Sequence, residues 1–120
     1  MKPYEFEQLV CDHYRQKGYR VQTTSASNDY GIDVFAEKKG EKIAVQVKMY
    51  GGSTRKVNRQ TMMELYGAAA YFDCTKAVLA TDGEVLTDAK EVAHKLGIDI
   101  LFIQPDRKIS MPSASSAEWS

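Results

Sequence analysis

A chain of 120 residues has the usual size of one domain and buries roughly two-thirds of its unfolded surface, so it needs neither disulfides nor a structural metal to hold a core. Hydrophobic content of 43% and charged content of 27% exclude a disordered or membrane-embedded chain. The 16 basic and 16 acidic residues cancel, so net charge gives no argument for a nucleic-acid partner, and the local distribution has to carry one.

The opening MKPYEFEQLV lacks the apolar run of a signal peptide, and no segment approaches the roughly 18 apolar residues of a membrane span, so a cytoplasmic location is expected. Phe6, Leu9, Val10, His13 and Tyr14 recur at helical spacing, which predicts a helix from Tyr4 to about Lys17, ended by Gly18. Tyr19 to Ser25 alternates and is rich in β-formers, giving a first strand before the turn-forming ASNDYG. Two further strands are expected at about Ile32 to Lys38 and Lys42 to Met49. The glycine-led basic loop YGGSTRKVNRQ runs into a helix at about Lys56 to Phe72, with Val57, Met62, Leu65, Tyr66, Ala69 and Phe72 as core candidates. Lys76 to Thr81 reads as a buried strand, Leu86 to Leu96 as a helix stopped by Gly97, and Ile98 to Ile103 as the last strand. Residues 105–120 are rich in Ser, Pro and Ala, the composition of a loosely held tail after a domain spanning 1–104.

The element order αβββαβαβ predicts an α/β domain whose mixed sheet is flanked by helices, with the strand order left open. Cys11 and Cys74 fit no metal-ligand spacing and are read as reduced core or near-core thiols. His13 and His94 lie in helical patterns without a metal-ligand partner, and are read as core or surface histidines.

The hairpin around Lys39 and Gly40 carries the chemistry. Pairing Lys38 with Glu41 puts Ile32, Val34 and Ala36 on one face with Ile43, Val45 and Val47, an apolar surface without polar interruption. On the opposite face Asp33 lies across from Gln46, with Lys48 two residues further on the same side. A solvent-exposed hairpin face would show the same pattern. Two details argue otherwise: Phe35 and Ala44 share that face, and its charged end lies by the NDYG turn and the GGSTRK loop rather than at the hairpin tip.

The motifs FEQLV, GYRV, DYGIDV, VQVK and ATDGEVLTDAKEVAHKLGIDIL resemble the Mrr-like restriction endonuclease domain of the PD-(D/E)xK nuclease superfamily, over nearly the whole chain to about Gln104. The resemblance implies a restriction-endonuclease-like fold and magnesium-dependent hydrolysis of DNA phosphodiesters, with manganese as a substitute. It makes Asp33 the central metal ligand, Lys48 the basic residue of the site and Gln46 the occupant of a position where many relatives have a carboxylate. Glu7 would supply a further carboxylate from the first helix, and Val47 completes the implied metal site. Asp29, the first acid of DYGID, matches the family's turn; aspartate also simply favours turns.

Magnesium prefers one or two carboxylates plus waters, so Asp33 and Glu7 suit it, while Gln46 offers only a neutral carbonyl oxygen. From Glu37 to Arg59 there are seven cations against two acids, and Arg55, Lys56, Arg59 and Gln60 are candidate DNA contacts. Two other readings stand beside a nuclease of this type: a catalytically weak or inactive DNA-binding module of the same fold, motivated by Gln46, and a structure-selective nuclease similar to Holliday-junction resolvases. Cutting both strands of a duplex would favour a homodimer. Specificity would come from a separate targeting domain or partner, since the chain carries little besides the core.

Overall fold

The computed structural model describes residues 1–24 and 30–104; Asp29, most of the turn around it and the segment 105–120 lie outside the described residues. Helix α1 (Pro3–Gln16) is followed by β1 (Arg20–Thr23), β2 (Val34–Lys38), β3 (Glu41–Lys48), α2 (Arg59–Tyr71), β4 (Lys76–Thr81), α3 (Thr87–Leu96) and β5 (Asp99–Phe102). Among the described residues these strands form one sheet in the order β1-β2-β3-β4-β5. The first three strands pair antiparallel and the last two join in parallel through the crossover helices α2 and α3. The sheet is therefore mixed, as the element order predicts.

Alternation along each strand divides the core between two faces. Phe6, Val10, Cys11 and Tyr14 of α1 cover one face, against Val34, Ala36, Ile43 and Val45. The other face, with Ala44, Leu79 and Ile100, lies beneath Met62, Leu65 and Ala69 of α2 and Ala89 and Ala93 of α3. Side chains the size of Phe6 or Leu65, fully buried, each contribute roughly 1.5–3 kcal/mol.

Local signals set the helix ends. Asn58 caps α2, its side chain accepting the Thr61 N–H at 3.0 Å, so the helix starts later than the expected Lys56. Val57 instead forms a bridge with Val85. Ala68 is buried, whereas Tyr66 is 48% exposed, a correction to the expected core. Cys11 is buried and Cys74 partly so, both free.

The hairpin register is the expected one, with Lys38 opposite Glu41 and Val34 opposite Val45. One residue departs from it: Ile32 packs with Ala44 and Leu79, on the face opposite Val34. The β2 ladder begins only at Val34, and Gly31 before it has φ +88°, so the chain is not bound to alternate there. The hairpin face that carries Phe35 and Ala44 is the second core face, so the solvent-exposed alternative does not hold.

Candidate active site

The carboxyl ends of β3 and β4 lie side by side, Lys48 opposite Thr81, and loops leave both at one edge of the sheet. Ligand sites of open α/β sheets gather at such ends. Asp33, just before β2, reaches this edge through two hydrogen bonds to β3. Its N–H donates to the Val45 carbonyl at 2.8 Å, and its Oδ2 accepts from the Val47 N–H at 2.7 Å. These bonds straddle Gln46, so the aspartate is pinned to the strand bearing the glutamine and lysine. Thr24 steadies the approach by donating its hydroxyl to the Ile32 carbonyl at 2.7 Å.

Burial pushes the Asp33 carboxyl above its usual range, while the Val47 N–H and the Lys48 charge pull it back. Glu7, on α1, is likewise raised, by burial first and by the Asp33 charge second. The structure thus sets Glu7, from α1, and Lys48, from β3, in electrostatic reach of Asp33. Among the described residues no group of three or more His, Cys, Asp or Glu is placed to hold a metal ion.

Gln46 is only 7% exposed, with its Nε2 2.8 Å from where a Cβ on Gly31 would stand. Its side chain lines a cleft against α2 together with Tyr30, Glu64 and Tyr71. Its Oε1 is buried and has no hydrogen-bond partner among the described residues. An unpaired buried acceptor costs about 1–3 kcal/mol, which a cation or water would remove.

Of the candidate DNA contacts, Arg55, Lys56 and Gln60 line a second cleft with Lys48, Lys56 also pairing with Glu84 at 3.6 Å, whereas Arg59 turns to Asp88 on α3 at 3.4 Å. The basic run also divides in space. Lys42 sits at the hairpin end of β3, roughly 20 Å from Lys48 by strand rise. Lys42 Nζ donates to the Phe72 carbonyl, and Lys38 Nζ to that of Lys17.

Three residues that hold the site were not singled out in the sequence. Tyr50 packs under both cations, its ring centroid 4.5 Å from the Arg55 guanidinium carbon and 5.9 Å from Lys48 Nζ. The Asp82 carboxylate accepts the Gly51 N–H at 2.7 Å, fixing the start of the basic loop. Buried Thr81 donates its hydroxyl to the Lys48 carbonyl at 2.7 Å. Glycines mark the spot: a Cβ on Gly51 would fall 2.6 Å from the Asp82 carboxylate, and one on Gly83 2.7 Å from the Tyr50 Cβ. The pairs Gly51-Gly52 and Asp82-Gly83 are the signals that could have found them.

A mixed sheet with helices on both faces and a carboxylate–lysine strand end defines a restriction-endonuclease-like architecture. Solved structures agree on the fold: the protein of unknown function AF1548 superposes with a TM-score of 0.64 at 19% identity, covering 79% of this chain and 55% of that one. An XisH family protein from Nostoc punctiforme PCC 73102 gives 0.56 at 20% identity, covering 88% and 96%. The family profile Mrr_cat, described as "Restriction endonuclease", matches residues 1–108, and the chain belongs to that family. Among curated proteins it is 34% identical over 98 residues to the uncharacterized protein y4cE of Sinorhizobium fredii (strain NBRC 101917 / NGR234), a match over 72% of this chain and 25% of that protein. It is 39% identical over 49 residues to a UPF0102 protein of Aquifex aeolicus (strain VF5), over 40% of this chain and 48% of that one. The chain thus spans half or less of the curated relatives it matches.

Proposed function

We propose that the protein is a divalent-metal-dependent DNA endonuclease of the Mrr type, working at Glu7, Asp33, Gln46 and Lys48. The observation that carries this reading is Asp33 hydrogen-bonded on both sides of Gln46, with Glu7 and Lys48 in electrostatic reach. The donor set fits magnesium or manganese: two carboxylates raised by burial, a buried glutamine oxygen without a partner among the described residues, and the Val47 carbonyl as the only oxygen that residue can offer.

A bound divalent ion would supply a Lewis acid for the phosphoryl oxygen and a more acidic water. The chain's own part is positional. Asp33 and Glu7 would hold the ion as carboxylates, and Gln46 contributes a neutral dipole that leaves net binding weaker than a third carboxylate would. Lys48 places an ammonium where negative charge develops on the phosphate. Arg55, Lys56 and Gln60 take neighbouring phosphates, so binding is salt-sensitive and largely indifferent to sequence. A cytoplasmic location goes with this reading, as does a homodimer for cutting both strands.

The test is cleavage of duplex DNA resolved on a denaturing gel. Cutting in magnesium that EDTA stops supports the reading; cutting that persists in EDTA, or none with either metal, counts against it. The substitution of a neutral amide at Gln46 favours one second reading, a DNA-binding module with weak chemistry, for which binding would survive without any nicking.

A further inference from the structure

Two adjoining clefts open between α2 and the strand end that bears Gln46 and Lys48. One is basic, about 370 Å³, and includes Lys48, Arg55, Lys56 and Glu64. The other is apolar, about 570 Å³, and is lined by Tyr30, Gln46, Glu64, Gly67 and Tyr71. They meet at Glu64, whose carboxylate accepts from Gln60 Nε2 at 3.1 Å. Glu64, Gly67 and Tyr71 follow one another at helical spacing, so one stripe of α2 forms the cleft wall.

Two features of the apolar cleft are unexplained by packing. Tyr30 and Tyr71 expose 68% and 67% of their surface, although they stack edge to face at 5.2 Å in a cluster with Phe72. Gly67 lies inside α2, where glycine costs roughly 0.5–1 kcal/mol relative to alanine, yet a Cβ there would meet nothing within 4 Å. The glycine leaves room at the cleft wall that no close contact among the described residues accounts for.

We infer that the apolar cleft takes an unpaired nucleobase of the DNA substrate, stacked on Tyr71 and Tyr30, while the flanking phosphates lie in the basic cleft. A nucleotide has the same division, a flat ring with stacking faces beside an anion, and aromatic platforms next to cationic grooves are how single strands are held. The inference rests on the nuclease reading and makes single-stranded or locally unpaired DNA its preferred substrate class.

The experiment is fluorescence anisotropy with a short labelled oligothymidine and a duplex of equal length, in EDTA, on the whole chain. Tyr71→Ala and Gly67→Leu are expected to weaken single-strand binding about tenfold and leave duplex binding unchanged. Both positions are exposed, and Gly67→Leu should raise rather than lower helix stability, so lost binding is not lost folding. Arg55→Ala should weaken both probes. Plasmid nicking by the wild type with single-strand binding indifferent to Tyr71→Ala and Gly67→Leu would overturn the base cleft alone. Absence of both nicking and DNA binding would overturn the nuclease reading with it. A wild-type dimer that Tyr71→Ala splits, with single-strand binding unchanged, would mark the cleft as a self-association surface and overturn the inference.

Discussion

Replacing Asp33 with asparagine separates charge from hydrogen bonding, because an amide oxygen can still accept from the Val47 N–H. Asp33→Asn should therefore keep the fold and lose cleavage by more than the about 10–100-fold that outer-shell partners of a metal cost, as read by initial rates. Titration gives a second test at this scale. The folded-state pKa of Glu7 is raised, so the folded protein binds that proton more readily than the unfolded chain, and the ionised carboxylate detracts from stability above the raised pKa. In EDTA, Glu7→Gln should melt higher than the wild type at neutral pH, and the gap should close as pH falls through the carboxylate range. A wild type more stable than Glu7→Gln at neutral pH would contradict the arrangement. The same raised values mean that metal-dependent activity should fail at a higher pH on the acid side than ordinary carboxylates would require. The candidate site residues came from D…QxK spacing and the upstream FE, and alternation put Gln46 on the face of Phe35 and Ala44; what covers that face was not legible. The Gln46 side chain faces α2, and that depends on a crossover whose packing no local pattern specifies.

Among the elements, the hairpin was the most legible, since turn chemistry and alternation both set the pairing of Val34 with Val45. Ile32 escaped because alternation holds only where a ladder exists, and the ladder starts two residues later. Gly31 sits at that transition with φ +88°, its missing Cβ leaving space for the Gln46 amide. Gly31→Ala should cost about 1–3 kcal/mol, from overpacking and a positive φ, measured by denaturant midpoint, and should lower cleavage by displacing Gln46. A neutral effect on both would show that Gly31 is a turn residue only. The loop after β3 makes a comparable prediction: Asp82→Ala removes the partner of the Gly51 N–H, so duplex affinity should fall several-fold while the unfolding midpoint changes little, since the lost bond holds a partly solvated loop.

For the whole molecule, strand order and the division of charge were beyond the sequence. The run from Lys38 to Arg59 looks like one basic patch on paper, but an extended strand carries Lys42 and Lys48 to opposite ends of the sheet. That distance exceeds the about 10 Å Debye length at 0.1 M salt, so the two groups act independently on a ligand. Affinity for duplex should fall with salt at a slope of about −2 to −3, as expected for phosphates held by Lys48, Arg55 and Lys56. Lys39→Ala and Lys42→Ala should leave that slope unchanged. The measurement that tests the account most directly is nicking of supercoiled plasmid in magnesium, comparing the wild type with Asp33→Asn and Lys48→Ala. The site described here predicts nicking by the wild type that EDTA abolishes and that both variants lose while still binding DNA. A wild type inert in magnesium and manganese, or an Asp33→Asn variant cutting at the native rate, would contradict it.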